Sequence, residues 1–506
     1  MSKYYYLVVR FILLSLLSTS IVCFALPEEA ETVSDEVVQI AVADIPASFS
    51  PYAAPRLAEQ FAHLFFDPLL RWRDDQHIEP RLVEKWETIS PGVIRFYLKQ
   101  NIKFHSGNGL SSQDVIWTFY QIQENPQTQY FFGGIDNITA QDADSFMVHS
   151  QLAETQVLDY LTHFFVLDSH FYGAGNNKPK ASVEEGLAGR NLYLSGTGPY
   201  LPGQYNPYTH LKAIKNEHYW GKNESNLTLN FLKIKSSKSR LFALLSSDVD
   251  ISSGITSNML SSIQFSKSKS AVNIASPAAM FLTINDRKTS AFTQKEAREA
   301  IYFAVNKVGM LRQSASRSTI TDPLYTRLEE ANRVVDKPYL PSYRVNQSLR
   351  YVRQLKLPRK LSLLVMIDGP GNSEKMANIF INMMSTIGVH LKTTKVSTLE
   401  DWQKQQFSHD FTLSPWQSTL IDNNNIYHDL CTDSYLSDFI EQLYVEAKST
   451  DTAISLEKVF ESAKDERKII PLFFQNQIWA ADNRYNLNEI FSANGSPYWD
   501  LLKRNQ

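Results

Sequence analysis

A histidine and an aspartate nine residues apart, His105 and Asp114, could together form part of a catalytic or metal-binding site. A histidine beside a carboxylate can act as a general base, and both side chains can bind a metal ion. The 11 histidines of the chain form no i, i+4 pair suited to zinc on one helix. To build a hydrolytic site, three further histidines would have to converge on this pair in the folded chain: His63, His163 and His170.

The local pattern assigns both residues structural positions. Residues 94–99 alternate between apolar and polar side chains, which predicts a half-buried strand that ends at His105 after a shorter second alternation. Ser111 precedes Asp114 by three residues, the spacing of a capping box, and apolar residues then recur at helical spacing. In the first turn of a helix a carboxylate interacts favourably with the helix dipole. The pattern therefore favours a strand, a turn and a capped helix over a catalytic pair.

Motifs of enzymes and cofactor sites are absent from the rest of the sequence. It contains no H-E-x-x-H, no G-x-S-x-G and no G-x-x-x-x-G-K segment. Gly196-Thr197-Gly198 lacks the third glycine of a dinucleotide fingerprint, and Pro199 would obstruct the start of the helix that follows such a fingerprint. No cofactor and no metal site are predicted.

Length and charge narrow the class of protein. A chain of 506 residues is long enough for two or three domains. The formal net charge of −3 gives no reason to expect nucleic acid as a partner. Aromatic residues make up 12% of the chain, enough to fill the cores and also to line a cavity for a sizeable ligand. The predicted elements include a helix over residues 56–72. Predicted strands alternate with predicted helices through both halves, which indicates mixed α/β domains.

The first 25 residues predict a signal peptide. A positive start is followed by an apolar run, and small residues at Cys23 and Ala25 precede the polar segment that begins at Leu26. An uncleaved membrane anchor is the alternative, but the apolar run is shorter than a full membrane span. Val22 stands where a lipoprotein would carry a small residue. Removal of Cys23 leaves Cys431 as the one cysteine of the mature chain, so we expect an exported protein without disulfides.

Six stretches in the same order resemble one family, the large extracytoplasmic solute-binding proteins of ABC importers that bind oligopeptides, dipeptides or nickel, known as family 5. These stretches are residues 66–70 with 80–86, Phe104-His105-Ser106-Gly107 with Asp114-Val115, Gly196-Thr197-Gly198-Pro199-Tyr200, residues 216–221, Asp248-Val249-Asp250, and residues 281–285 with 292–306. In this family the block around His105 is scaffold. The resemblance covers about residues 36–310 and continues more weakly to the C-terminus.

The resemblance implies an α/β fold of two lobes, joined by hinge strands, with an extra subdomain in the first lobe. The expected boundaries are a signal peptide at 1–25, a first-lobe core of 26–50, 191–278 and 480–506, a first-lobe subdomain at 51–190, and a second lobe at 279–479. Closure of such lobes around a ligand is a hinge motion. The implied function is non-catalytic: a monomer captures a peptide or peptide-like molecule outside the cytoplasm, in the periplasm, and delivers it to a membrane ABC permease.

The resemblance also implies where the ligand is bound. The candidate residues are Phe49 and Ser50 in a first-lobe loop, Asn285 on the strand that enters the second lobe, and Trp416, Gln417, Thr419 and Asp422. Structural roles are open for three of them: Trp416 as a core residue, Phe49 as a buried loop anchor, and Asn285 as the cap of a strand end.

One position departs from the family. Peptide binders of the family place an aspartate three residues after a tryptophan, where its carboxylate pairs with the peptide α-amine. Here Thr419 follows Trp416 at that distance, and Asp422 is three residues further on. A neutral residue forms no charge-assisted contact with an ammonium group, so the sequence argues against free peptide N-termini as the recognised group.

A narrower resemblance and several alternatives accompany this interpretation. Residues 89–91 with 95–98 look like the solute-binding domain of the transcription regulators of sugar-phosphate stress. A sugar derivative, a metal chelate or a haem-like molecule are the alternative ligands. A secreted hydrolase and a sensor that docks on a partner without transport are the alternative functions.

Overall fold

Strands and helices alternate along the chain in the computed structural model, which describes residues 36–52, 55–73, 77–173, 194–223, 225, 227–256, 259–314, 319–320, 343–366, 373–396, 399–417, 420, 425, 437–448 and 456–505. The strands are β1 (Glu36–Val42), β2 (Leu70–Trp72), β3 (Ile78–Pro80), β4 (Val83–Ser90), β5 (Val93–Leu98), β6 (Ile135–Ala140), β7 (Ser145–Ser150), β8 (Tyr200–Asn206), β9 (His210–Lys215), β10 (Leu227–Lys233), β11 (Ile251–Ser252), β12 (Lys269–Ile284), β13 (Thr319–Ile320), β14 (Lys360–Met366), β15 (His390–Val396), β16 (Phe411–Gln417), β17 (Ile469–Asp482), β18 (Tyr485–Asn486) and β19 (Lys503–Arg504). The helices are α1 (Pro55–Phe65), α2 (Ser112–Glu124), α3 (Pro126–Phe131), α4 (Glu154–Leu161), α5 (Ser169–Gly173), α6 (Ser237–Leu245), α7 (Leu260–Gln264), α8 (Lys295–Ala304), α9 (Lys307–Ser314), α10 (Val345–Gln354), α11 (Ser373–Thr386), α12 (Leu399–Gln405), α13 (Ser437–Lys448) and α14 (Leu456–Asp465).

Met1–Glu36 and Val37–Gln506 form two separate units. Of the first unit, only Glu36 lies within the described residues, so the predicted signal peptide lies outside them. Among the helices that the structure describes, none has both the length and the apolar character needed to cross a membrane.

One sheet runs through the whole of the second unit. Its strand order is β15-β14-β16-β12-β17-β11-β1-β10-β9-β8, and β13 pairs with β17 beside this path. The two long central strands, β12 and β17, pair antiparallel, and their register shifts between Ile274 and Ala278 and again between Met280 and Phe281. A β-bulge or similar irregularity bends a strand and interrupts its ladder. We call the parts of the ladder on either side of the first shift its two arms.

Each arm of this ladder packs into its own hydrophobic core. Ile274 and Trp479, on one arm, belong to the core that also holds β1, α1 and β8–β10. Met280 and Ile470, on the other arm, belong to a core built with α8, α11 and β14. The first lobe comprises β1–β11 and α1–α7, built around the first core and a smaller core that contains α6 and α7. The second lobe comprises β13–β16 and α8–α14, built around the second core and two smaller cores that contain α12, α13 and α14. Strands β12 and β17 contribute to both lobes.

A smaller antiparallel sheet in the first lobe, in the order β4-β5-β7-β6, contains the strand predicted around residue 95. The Phe96 and Phe146 rings stack across it at 5.4 Å between centroids. Helix α2 begins after Ser111 as predicted, and it buries Val115 and Phe119 on one face. The buried residues of this small sheet and of α2 belong to the same hydrophobic core as the rest of the first lobe. The capped helix and the strand are therefore confirmed, but the strand ends at Leu98, so the prediction that it continues to His105 is wrong: His105 lies in a turn.

The helix predicted over residues 56–72 is wrong beyond Phe65. Helix α1 ends there, and residues 70–72 form β2, which pairs antiparallel with β3. Pro68 has no amide hydrogen to donate, and it disfavours helical geometry at the residue before it. The apolar residues that continue past Phe65 are buried as a strand rather than as a helix.

Candidate ligand-binding site

His105 and Asp114 bind separate parts of the first lobe. The Gly196 N–H donates to Nδ1 of His105 at 3.4 Å, so the other ring nitrogen, Nε2, carries the proton and donates to the Gly198 carbonyl at 3.0 Å. Burial lowers the pKa of His105, which keeps the ring neutral. Asp114 accepts from the Ser111 N–H at 2.9 Å and from the Ser169 N–H at 3.0 Å. Both residues are scaffold, as the local pattern predicted.

The turn after His105 is held by a second buried carboxylate, Asp168. Its oxygens accept hydrogen bonds from Ser106 Oγ at 2.5 Å, Asn108 Nδ2 at 3.0 Å and Ser195 Oγ at 2.8 Å. Within the described residues there is no group of three or more His, Cys, Asp or Glu side chains that could hold a metal ion. His63 and His163 pack their rings edge-on against aromatic side chains, so they add structure rather than chemistry.

The family-like stretches meet in one polar network around Asp67. This carboxylate is 2% exposed. It accepts from Arg81 Nε at 2.7 Å, Trp220 Nε1 at 3.0 Å, Tyr219 OH at 3.1 Å and Thr197 Oγ1 at 3.2 Å. Three stretches that are far apart in sequence are therefore joined at a single side chain.

Two arginines extend this network to the C-terminal end of the chain. Asp500 Oδ2 lies 3.1 Å from Arg81 Nη2 and 3.2 Å from Arg71 Nη1. Burial by itself would lower the pKa of Arg81, but Asp67, Tyr219 and Asp500 together outweigh it, and the pKa is raised well above its usual value. A buried pair of this kind fixes geometry and excludes water, so the network is part of the scaffold.

The Gly-Thr-Gly stretch has a packing role. A Cβ at Gly198 would lie 2.4 Å from the main-chain carbon of Phe65, and a Cβ at Gly196 would lie 2.1 Å from the Phe65 carbonyl oxygen. The Gly198 N–H donates to this same oxygen at 3.0 Å. Both glycines are therefore required because the end of α1 lies directly against them.

The two candidates from the first-lobe loop lie inward or bind their own loop. Phe49 is 2% exposed and packs edge-on against Phe61, Phe65 and Tyr205, with ring centroids 5.1–6.0 Å away. Its position agrees with a buried loop anchor, and contact of its ring with a ligand stays a prediction. Ser50 is half-buried, and its Oγ accepts from the Tyr52 N–H at 3.4 Å.

Asn285, at the end of β12, uses its amide to hold the chain before β16. Its Nδ2 donates to the Phe407 carbonyl at 2.8 Å and to the His409 carbonyl at 3.1 Å. Its Oδ1 accepts from the Arg287 N–H at 3.1 Å. These contacts correspond to the strand-end cap that was considered as its structural role.

Trp416 and Gln417 end β16, where their backbones pair with Ala279 and Ala278 of β12. These pairs lie beside the irregularity that separates the two arms of the β12–β17 ladder. The side chains of Trp416 and Gln417, and all of Thr419 and Asp422, lie outside the described part of the chain. The stretch that contains the candidates from Trp416 to Asp422 thus starts at the junction of the two lobes.

Beyond β16 the chain reaches the first lobe. Leu420 is fully buried in the first core, although β16 pairs with β14 in the second lobe. Asn425 is 1% exposed, and its Nδ2 donates to the Asp159 carboxylate of α4 at 3.0 Å. The expected boundaries assign both residues to the second lobe, yet both contact the first.

A family model gives the chain its place among known proteins. The model described as "Bacterial extracellular solute-binding proteins, family 5 Middle" matches residues 77–437. The chain belongs to this family. Solute binding, rather than catalysis, is the role for which the family is described.

Relatives of this family 5 protein agree with the assignment. The periplasmic murein peptide-binding protein MppA of Escherichia coli is 27% identical over 236 residues, which are 43% of this chain and 43% of MppA. Two solved structures are each 16% identical and cover 93% of this chain and all of theirs, both with a TM-score of 0.76: a dipeptide-binding protein of Pseudoalteromonas with Met-Leu, and NikA of Brucella suis with Fe(III)-EDTA. The chain therefore has the two-lobed periplasmic-binding-protein fold.

Sequence reasoning about this family 5 protein missed the residues that join β16 to the first lobe. Neither Asp159 nor Trp72 has a recognisable motif, and their contact depends on the packing of α4 against β2. The run of three asparagines that ends at Asn425 was the one available signal. It indicated a turn-forming segment but not a partner.

Proposed function

We propose that this protein captures a small solute, a peptide or a peptide-like molecule, between its two lobes and delivers it to the permease of an ABC importer. The observation that carries the proposal is the β12–β17 ladder, which is shared by two separate cores and interrupted between them. A ladder interrupted between two rigid bodies can act as a hinge, and hinge closure buries a ligand in the cleft.

The proposed site is the segment that starts at Trp416 and Gln417 and reaches the first lobe at Leu420 and Asn425. Support comes from the backbone pairing of Trp416 and Gln417 with β12 beside the shift in register, and from the burial of Leu420 in the first core. The proposed division of the chain is the one expected above, with 51–190 as the first-lobe subdomain and 279–479 as the second lobe.

Recognition of the solute should not depend on a peptide α-amine, because Thr419 stands three residues after Trp416. An ammonium group buried without a carboxylate would lose several kcal/mol through desolvation. Calorimetry with a peptide library and with its N-acetylated counterpart tests this directly, on wild type and on Thr419→Asp. Wild type should not distinguish the two libraries, whereas Thr419→Asp should prefer free amines. If acetylation abolishes tight binding to wild type, Asp422→Asn identifies whether Asp422 is the substitute anchor.

The proposed role includes no catalysis. The polar groups that first suggested chemistry have structural partners, since His105 binds the Gly198 carbonyl and Asp114 caps α2. Incubation of any bound peptide with the protein, followed by mass spectrometry, should return the peptide intact. Hydrolysis products would instead favour the secreted-hydrolase alternative.

Binding itself is tested by thermal stability. A solute at 100 times its Kd should stabilise the folded protein by about 2.7 kcal/mol. The panel consists of free and acetylated peptides, sugar derivatives, metal chelates and haem, so that it covers the alternative ligands. At least one class should raise the Tm and decrease the radius of gyration in scattering. A panel without any effect would contradict the proposal.

The proposed location is the periplasm, reached through a signal peptide cleaved between Ala25 and Leu26. N-terminal sequencing of the exported protein should start at Leu26, whereas a lipidated start at Cys23 would contradict the cleavage site. We expect a monomer, which sedimentation of the exported protein measures.

A further inference from the structure

One end of the small first-lobe sheet, β4-β5-β7-β6, contains a cavity of about 530 Å³ that opens to solvent. The floor of this cavity is aliphatic, because Ile94, Val148 and Val157 line it and each is at most 4% exposed. Small-molecule sites in proteins usually enclose about 300–1,000 Å³ and combine an apolar lining with a few polar groups. None of the lining residues belongs to β12, β16 or β17, so the cavity is separate from the junction of the two lobes.

The walls of the cavity are held by one buried serine, Ser150, which is 3% exposed. Its N–H donates to the Gly92 carbonyl at 2.9 Å, and its hydroxyl donates to the Gly134 carbonyl at 2.5 Å. Its Oγ also accepts from the Leu152 N–H at 3.0 Å. The turn between β4 and β5, the start of β6 and the chain that leads into α4 are therefore fixed around the cavity before any molecule enters it.

Both edge strands of the small sheet are irregular where they border the cavity. Asp136 lies in β6 where the register shifts between Ile135 and Asn137, and β4 has a shift between Thr88 and Ser90. A bulge leaves a residue unpaired and redirects its side chain, and bulges are common beside functional sites. Asp136 and Thr88 both line the cavity.

Two carboxylates lie at the mouth of the cavity, those of Asp136 and Glu154, and both residues are exposed. Glu154 is fixed by β4, because its Oε2 accepts from Thr88 Oγ1 at 2.8 Å and its Oε1 accepts from Trp86 Nε1 at 3.2 Å. Asp136 Oδ2 lies 3.5 Å from Gln151 Nε2. Solvent-exposed carboxylates are ionised at neutral pH, and Glu154 lies in the first turn of α4, where the helix dipole favours a negative charge.

The lining of the cavity contains no lysine or arginine that would offset these charges. Within the part of the chain that the structure describes, neither Asp136 nor Glu154 forms an ion pair. His149, the remaining lining residue that can carry charge, has its Nε2 3.2 Å from Thr139 Oγ1. Each carboxylate oxygen has two lone pairs, so both carboxylates can accept further hydrogen bonds. An aliphatic floor below a negative rim fits a molecule with an aliphatic body and an ammonium head.

We propose that this cavity is a second binding site, for small amphiphilic amines, outside the cleft between the lobes. Ile94, Val148 and Val157 contact the aliphatic body, and Asp136 and Glu154 bind the ammonium group. The site goes beyond the proposed function and does not depend on it, because all of its residues lie within the first lobe. Ion pairs at an exposed rim are screened by solvent, so burial of the aliphatic body provides most of the affinity and the carboxylates select the charge of the head group.

The test measures binding of linear alkylammonium ions, from ethylammonium to hexylammonium, to the full protein by calorimetry. Hexanol and hexanoate are the neutral and anionic analogues. The variant Asp136→Asn/Glu154→Gln removes both charges and keeps the shape of both side chains. The matched control is Glu124→Gln/Asp144→Asn, which removes two exposed carboxylates of the same lobe that do not line the cavity. All four residues are exposed, so both variants should fold, which their melting curves check.

Hexylammonium should bind wild type more tightly than hexanol does, and hexanoate should bind least. The affinity of the amines should rise about fourfold for each methylene group that the floor buries. The cavity variant should bind hexylammonium about tenfold more weakly than wild type, whereas the control variant should bind it as wild type does. Equal binding of hexylammonium by wild type and the cavity variant would overturn the proposal, because the amine would then be bound elsewhere, for example in the cleft. A wild-type protein that binds none of the amines would overturn it as well.

Discussion

Asp67→Asn tests whether the family-like stretches form scaffold. The substitution removes the charge of a carboxylate that is 2% exposed and lies 2.7 Å from Arg81. Loss of one partner of a buried ion pair costs about 3–5 kcal/mol, because the other charge stays buried. Asp500, 3.1 Å from Arg81, retains part of the compensation, so we expect a loss near the lower end, about 3 kcal/mol.

The assay is urea unfolding followed by tryptophan fluorescence, to which Trp220 contributes as a direct partner of Asp67. The matched control is Asp142→Asn, whose carboxylate is 56% exposed and lies 3.5 Å from Arg95. An exposed pair is screened by solvent and contributes little to stability, so this variant should unfold close to wild type. Retention of solute by the folded Asp67→Asn variant should match that of wild type, because the network is not a ligand site.

The double variant Asp67→Asn/Arg81→Met shows how much of the stability loss comes from leaving Arg81 charged without its partner, and how much from lost packing. With the cation removed, no buried charge is left without its main partner, so the double variant should lose less stability than the two single changes added together. The reasoning would be refuted if Asp67→Asn unfolded within about 1 kcal/mol of wild type, as an exposed pair would.

Burial, and then the charge of Arg71, lower the pKa of His63 well below its usual value of 6.5. Below about pH 6.5 the unfolded chain therefore binds more protons than the folded chain, so the protein should lose stability as the pH falls from there toward the lowered pKa. His63→Phe removes this group. Melting temperatures of this variant, measured from pH 7 to pH 5, should therefore depend less on pH than those of wild type. Gly198→Ala should destabilise the protein by about 1–3 kcal/mol or prevent folding, because its Cβ would lie 2.4 Å from main-chain atoms of Phe65, whereas Gly109→Ala, with nothing within 4 Å, should melt near wild type.

The sequence by itself determined the local elements and the family. Alternation around Phe96 and the Ser111–Asp114 spacing predicted β5 and the start of α2, because both patterns depend on neighbours within a few residues. Local periodicity failed at α1, where apolar residues past Phe65 fit a helix or a buried strand equally well. Residues 70–72 form a strand because Pro68 ends the helical geometry and because β3 offers a strand to pair with.

Only the tertiary structure decided which residues meet. Phe49 is a core residue because three aromatic rings from α1 and β8 surround it, and none of them is close in sequence. Asn425 and Asp159 are 266 residues apart, and their contact exists only after both lobes have folded and packed. Such contacts follow from the packing of preformed elements, and no repeat or spacing in the chain encodes them. The scaffold was therefore predictable from sequence patterns, whereas the connection between the lobes depended on the three-dimensional fold.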